Sequence, residues 1–205
     1  MVFIVIEGID GAGKTTQAKY LCERLTNLGY EVINEKEPTD GAIGKFIRRA
    51  LQDKVNLDLI SLQLLFVADR NEHMKALDDK IRNKIVISDR YYYSTIAYGE
   101  ASGMDREYLE GLNSIFPNPD KTFFLELDPK TALKRINSGR SDNEIFEKLP
   151  MLEKIKKAYD KFNGSEVERI EANAPTEIIT SILLKKTIAL LDKTGIQPSN
   201  KKAIP

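Results

Sequence analysis

Short apolar runs alternate along the chain with longer stretches whose apolar residues recur at helical spacing. The runs Val2–Ile6, Glu31–Asn34, Ile85–Ser88, Thr122–Leu127 and Val167–Ile170 predict strands. The stretches Lys14–Leu28, Ala42–Gln52, Asp58–Arg82, Tyr91–Ala101, Arg106–Ser114, Thr131–Ile136, Ile145–Phe162 and Pro175–Asp192 predict helices. Strands separated by helices of this length imply βαβ crossovers and a parallel sheet covered on both faces. Phe3-Ile4-Val5-Ile6 and Ile85-Val86-Ile87 are apolar throughout, as strands buried on both sides require. The expected architecture is a three-layer α/β domain over residues 1–193, with a five-stranded parallel sheet. The polar break Asn137–Glu144 between two helices reads as a surface loop or a lid over about 137–145. Residues 194–205 hold two prolines and no periodicity, which predicts a weakly ordered tail.

The 205 residues suffice for one α/β domain with a full core and are short for two. Lysine plus arginine balances aspartate plus glutamate at 31 each, which argues against bulk nucleic-acid binding, since that needs surplus positive charge. Met1–Ile6 is too short for a signal peptide and no later run could cross a bilayer, so a cytoplasmic protein is expected. The one cysteine, Cys22, sits in a helical pattern and reads as a buried thiol.

Chemistry enters at Gly8-Ile9-Asp10-Gly11-Ala12-Gly13-Lys14-Thr15, which matches G-x-x-x-x-G-K-[ST] between a strand and a helix. Glycines let backbone N–H groups turn around phosphate oxygens, and the helix N-terminus adds partial positive charge. Lys14 would bridge the β- and γ-phosphates of ATP, Thr15 would ligate Mg²⁺ and Thr16 could bond the α-phosphate. The strand Ile85–Ser88 then runs into Asp89 and Arg90, where a carboxylate would hold Mg²⁺ and a guanidinium lies at the same sheet edge.

Switch GTPases, motor or transport ATPases, metabolic kinases and partner-binding ATPases share this cradle. A guanine reader carries N-K-x-D, and both Asn83-Lys84-Ile85-Val86 and Asn200-Lys201-Lys202-Ala203 lack the aspartate. One small domain also weighs against a motor. A small-molecule kinase remains, with a non-catalytic ATP-binding protein as the rival from another class.

From residue 2 to 192 the chain resembles thymidylate kinase. The resemblance is carried by Phe3 to Thr16, then Glu37-Pro38, Leu65-Phe66-Val67-Ala68-Asp69-Arg70, Asp89-Arg90-Tyr91, and Ser94-Thr95 with Ala97-Tyr98. It implies transfer of the γ-phosphate of ATP to thymidine 5′-monophosphate (dTMP), with another deoxynucleotide or deoxynucleoside kinase as the alternative. By the resemblance Asp10 lies near the acceptor phosphate, the sugar hydroxyl and Mg²⁺. Phe66 stacks on thymine, Arg70 bonds its carbonyl edge, and Glu37 lies beside the acceptor. Arg90 grips the acceptor phosphate, Ser94 and Thr95 lie near the base, and Tyr98 crowds C2′. The resemblance also implies a homodimer, with Asp58–Arg82 as a contact face.

The chain departs from the pattern in places. Lys36 stands where arginine is usual, and Gly99-Glu100 where Gln-Gly is frequent; Thr95 stands where some relatives carry asparagine. Ala12 leaves the P-loop without arginine, which points to a lid arginine, Arg140, with Arg135 nearer the helix. The lone histidine, His73, reads as a core or exposed residue of the long helix rather than a catalyst.

Overall fold

The computed structural model describes residues 1–78, 84–139 and 144–199. The elements run β1 (Val2–Glu7), α1 (Lys14–Asn27), β2 (Val32–Lys36), α2 (Ala42–Leu51), α3 (Leu59–Asp78), β3 (Ile85–Asp89), α4 (Tyr92–Ala101), α5 (Arg106–Asn113), β4 (Lys121–Glu126), α6 (Pro129–Gly139), α7 (Leu149–Asp160), β5 (Val167–Glu171) and α8 (Thr176–Thr194). The five strands form one parallel sheet in the order β2-β3-β1-β4-β5, as the apolar runs predict. After β1 the chain leaves for the β2 edge, and after β3 it crosses to the β4 side. The carboxyl ends of these two adjacent strands therefore open a crevice, the usual ligand position in such sheets.

The alternation of side chains along β1 builds a core on each face of the sheet. Val2, Ile4 and Ile6 join a cluster with Leu21 and Leu25 of α1 and Leu183 of α8. Phe3 and Val5 point the other way, against Val86, Tyr91 and Phe116. Burying each aliphatic side chain contributes roughly 1.5–3 kcal/mol, so these two strands anchor the sheet. Register pairs Ile6 with Asp89, which sets the end of the P-loop strand beside the acidic end of β3.

Several element ends differ from the pattern reading, each for a local reason. The helix expected from Ile145 begins only at Leu149, because Pro150 in its first turn has no N–H to donate to Phe146 O and its ring would clash with that carbonyl if the helix continued back. Residues Ile145 to Lys148 instead turn across the domain, and Ile145 N–H donates to Leu51 O at 3.1 Å. Helix α6 is longer than expected, starting at Pro129 behind Asp128, whose carboxylate accepts from Thr131 N–H at 3.0 Å. It runs on through Asn137 and Ser138 to Gly139, so these belong to a helix rather than to the polar break. Strand β2 extends to Lys36 because Glu35 and Lys36 keep pairing with Ser88 and Asp89. Beyond α8, Ser199 N–H donates to Gly29 O at 2.9 Å, fastening the chain there to the turn after α1.

Candidate active site

The P-loop wraps the carboxyl end of β1. Gly8 has φ +143°, and a Cβ there would lie 2.7 Å from Leu125 O, so only glycine permits the turn. Helix α1 starts at Gly13 (φ 93°) with no side chain capping it, which leaves its first-turn N–H groups to face an anion. Lys14 folds back over the loop and donates to Ile9 O at 2.8 Å, with Asp10 Oδ1 3.9 Å away. Burial and the nearby Arg90 pull its ammonium down to about 8, against the opposing pull of Asp10, Asp89 and Glu7.

At the end of β3, Asp89 Oδ2 accepts from Thr15 Oγ1 at 2.5 Å. Its other oxygen, Oδ1, is buried without a hydrogen-bond partner. An orphaned carboxylate oxygen beside a threonine hydroxyl is a hard oxygen donor set that fits Mg²⁺, directly or through water. Arg90 follows with φ 74°, a left-handed conformation that costs a non-glycine residue about 1–3 kcal/mol. The turn aims its guanidinium back over β1. There it pairs with Asp10, donates to Ser94 Oγ at 3.0 Å, and stacks 5.2 Å over the Tyr98 ring. Tyr98 O–H donates to Asp10 Oδ2 at 2.8 Å, so Asp10, Arg90 and Tyr98 form one cluster.

Glu7 supports this cluster, although in the sequence it merely ended an apolar run. It is fully buried and accepts from Tyr91 N–H (2.7 Å), Ser94 N–H (3.2 Å), Ser94 Oγ (2.7 Å) and Tyr159 O–H (2.9 Å). Burial pushes its carboxyl up, against the pull of Arg90. A carboxylate at the end of a buried strand, directly before the P-loop, was the available signal. The hydroxyl of Ser94 is thus engaged with Glu7 and the Arg90 guanidinium.

A second network is centred on Arg70 of α3. Arg70 is 1% exposed. Its Nε and Nη2 donate to Glu37 Oε2 (2.9 and 2.6 Å), its Nη1 to Asn113 Oδ1 (2.6 Å) and its Nη2 also to Thr95 Oγ1 (3.0 Å). The guanidinium also lies 5.1 Å over the Tyr91 ring. His73 continues the chain of charges, with Nδ1 3.1 Å from Glu37 Oε1 and Nε2 3.2 Å from Glu35 Oε2. A neutral ring would aim a lone pair at one carboxylate, whereas the doubly protonated ring donates to both. Burial works against that charge, but Glu35 and Glu37 outweigh it and lift the imidazolium to about 9. The carboxylates come from β2 and its exit and the histidine from α3, a pairing that helical spacing could not reveal.

Most of these groups line one cavity of about 690 Å³, whereas His73 and Glu35 line a neighbouring one. Lys14, Thr15, Thr16 and Asp89 line the larger cavity together with Phe66, Arg70, Thr95 and Tyr98, and Asp10 and Arg90 are also in its wall. Arg135 also lines it and donates to Ala172 O at 3.1 Å. Arg140 lies outside the described residues. Cys22, in contrast, is buried in the core, and burial, with Glu23 beside it, pushes its thiol up to about 12, as an inert core residue requires.

The family model for thymidylate kinase matches residues 6–182. A probable thymidylate kinase of Thermococcus onnurineus (strain NA1) is 47% identical over 163 residues, covering 75% of this chain and 79% of that protein. One from Pyrococcus horikoshii is 44% identical over 183 residues, covering 86% of this chain and 89% of the relative. Among solved structures, thymidylate kinase from Candida albicans superposes with a TM-score of 0.75 at 25% identity, covering 95% of this chain and 92% of that one. With a phosphate cradle, an acidic strand end and a second, arginine-lined compartment in that same fold, the chain belongs to the thymidylate kinase family.

Proposed function

We propose that this chain transfers the γ-phosphoryl group of ATP to the phosphate of dTMP, giving thymidine 5′-diphosphate. The main support is the single cavity that joins the P-loop to a second compartment walled by Phe66, Arg70, Arg90 and Tyr98. A protein that only binds ATP has no use for that second compartment.

Phosphoryl transfer needs in-line placement and neutralised charge more than covalent help. The backbone of Gly8 to Thr16 cradles the donor phosphates and Lys14 neutralises the group in transfer. Arg90 leaves Asp10 to hold the acceptor phosphate, and Asp10 turns to the sugar hydroxyl or the metal shell. Phe66 stacks on the base, with Arg70 and Thr95 at its edge and Tyr98 against C2′. Mg²⁺, held by Thr15 and Asp89 with Asp10 near, supplies charge neutralisation when bound. The acceptor phosphate is already a competent nucleophile near neutral pH, so no strong base is needed. A lid formed by the chain after α6 would keep water from taking the phosphoryl group, with Arg140, outside the described residues, as its candidate catalytic arginine.

No helix among the described residues is long and apolar enough to cross a membrane, which suits a cytoplasmic enzyme. The same reading includes a homodimer through α3, where Ile60 and Leu64, one turn apart, are 54% and 41% exposed. A coupled ADP-release assay over a panel of nucleosides and monophosphates tests the activity. dTMP is expected as the best acceptor. Its preference over dUMP should be about 10–200-fold at most, since one methyl in an apolar pocket is worth about 1–3 kcal/mol. A panel in which no pyrimidine monophosphate is phosphorylated overturns the reading.

A further inference from the structure

Gln63 lies on α3 one turn before Phe66 and two before Arg70, so the three share a helix face, and all line the cavity. Its side chain is 0% exposed, yet both Oε1 and Nε2 are without a hydrogen-bond partner. A buried amide orphaned at both ends is rare in folded proteins and calls for a ligand or an internal water. Plain packing does not explain it, because leucine or methionine would fill the same volume with no polar atoms to satisfy.

The neighbours of Gln63 include Gly99 of α4. A Cβ on Gly99 would meet Leu109 Cδ1 at 2.7 Å and come within 3.4 Å of Gln63 Cγ. The bare backbone at Gly99 therefore makes room for Leu109, with Gln63 packed alongside in ordinary contact. Arg70, the expected reader of the base, already makes four hydrogen bonds to Glu37, Asn113 and Thr95. A guanidinium has five N–H donors, so Arg70 has one left and cannot by itself read a two-point edge.

We infer that Gln63 is a specificity-determining residue of the acceptor site, its carboxamide pairing with the N3–H and one carbonyl of a pyrimidine-2,4-dione. This rests on the monophosphate-kinase reading above. The carbonyl of Gln63 accepts the imide proton while its NH₂ donates to the adjacent carbonyl. The amide is shielded from bulk water, and the soft terminal torsion of glutamine lets it turn onto an arriving base. A carboxamide turned over also fits a cytosine edge, so the neighbouring Arg70 cation is what favours carbonyls over an amino group.

The test is Gln63→Met, which keeps the volume and removes the amide, compared with wild type on dTMP and on N3-methylthymidine 5′-monophosphate. Expected is a fall of at least tenfold in kcat/KM for dTMP, mostly through KM, with KM for ATP unchanged. The preference for dTMP over the N3-methyl compound should shrink by a similar factor. A folded Gln63→Met enzyme within twofold of wild type on dTMP would mean that an internal water or the core satisfies this amide, and the inference fails. Failure of the wild type on every pyrimidine monophosphate would instead sink the function on which it rests. Should the variant not fold, side-chain amide NMR of wild-type protein decides. The Gln63 NH₂ signals should shift on adding dTMP without ATP, and unmoved signals overturn the proposal.

Discussion

Replacing His73 by glutamine removes a charge from the buried network while keeping a side chain that can donate to Glu35 and Glu37. His73 titrates at about 9 in the folded protein, against about 6.5 for an ordinary histidine. A raised folded pKa means that the folded state holds the proton more tightly than the unfolded chain. The resulting stability is complete below about pH 6.5 and is lost as pH climbs through about 9. At about 1.36 kcal/mol per pK unit, the full contribution is of order 3 kcal/mol, of which about 2 kcal/mol disappears between pH 7 and 9. Lys14 runs the other way. Its depressed pKa near 8 destabilises the fold at neutral pH and relieves it as pH rises, which partly masks His73 in wild type alone. Both proteins share Lys14, so the difference between them isolates the histidine. Urea unfolding of wild type and His73→Gln at pH 6, 7, 8 and 9 should give a stability gap that narrows by about 2 kcal/mol over the last two pH units. A gap that stays flat over this range would show that His73 is neutral in the fold and that the two-carboxylate clamp does not operate.

Lys14→Ala should lower turnover by about 100-fold or more, the usual loss for an electrostatic clamp, with circular dichroism unchanged and melting at neutral pH no lower than wild type. Near-normal turnover of the folded variant would remove the P-loop mechanism. Asp89→Asn should raise the Mg²⁺ concentration needed for half-maximal rate by roughly tenfold or more, read from a metal titration of activity. An unchanged titration would separate Asp89 from the metal. Tyr98→Ala should narrow the deoxy-to-ribo ratio of kcat/KM, and a constant ratio with activity intact would show that Tyr98 does not read the sugar. Arg140→Ala should lower kcat much more than it raises either KM, because its contact forms mainly in the transition state, while Arg135→Ala should act more on ATP binding. An unchanged kcat in Arg140→Ala would leave the lid without a catalytic arginine at that position.

Much of this molecule is written in local pattern. Apolar runs buried on both faces, helical spacing between them and a Gly-rich turn before Lys14-Thr15 each depend on residues close together in the chain. They determine the sheet, the phosphate cradle and the acidic end of β3, and the family segments add the likeness to a nucleotide acceptor site. The missed element ends were also local: Pro150 delays α7, and Asp128-Pro129 starts α6 early. Tertiary structure alone decided what surrounds the reacting groups. Glu7 meets Ser94 and Tyr159, and His73 meets Glu35 and Glu37, across 36 to 152 positions of sequence. The amide of Gln63 on α3 is buried without a partner, and no residue near it in sequence marks that. Such groups acquire their charge and their unmet hydrogen bonds from partners that burial assembles at long range. A carboxylate, an imidazole or an amide carries no mark of those partners in its immediate sequence.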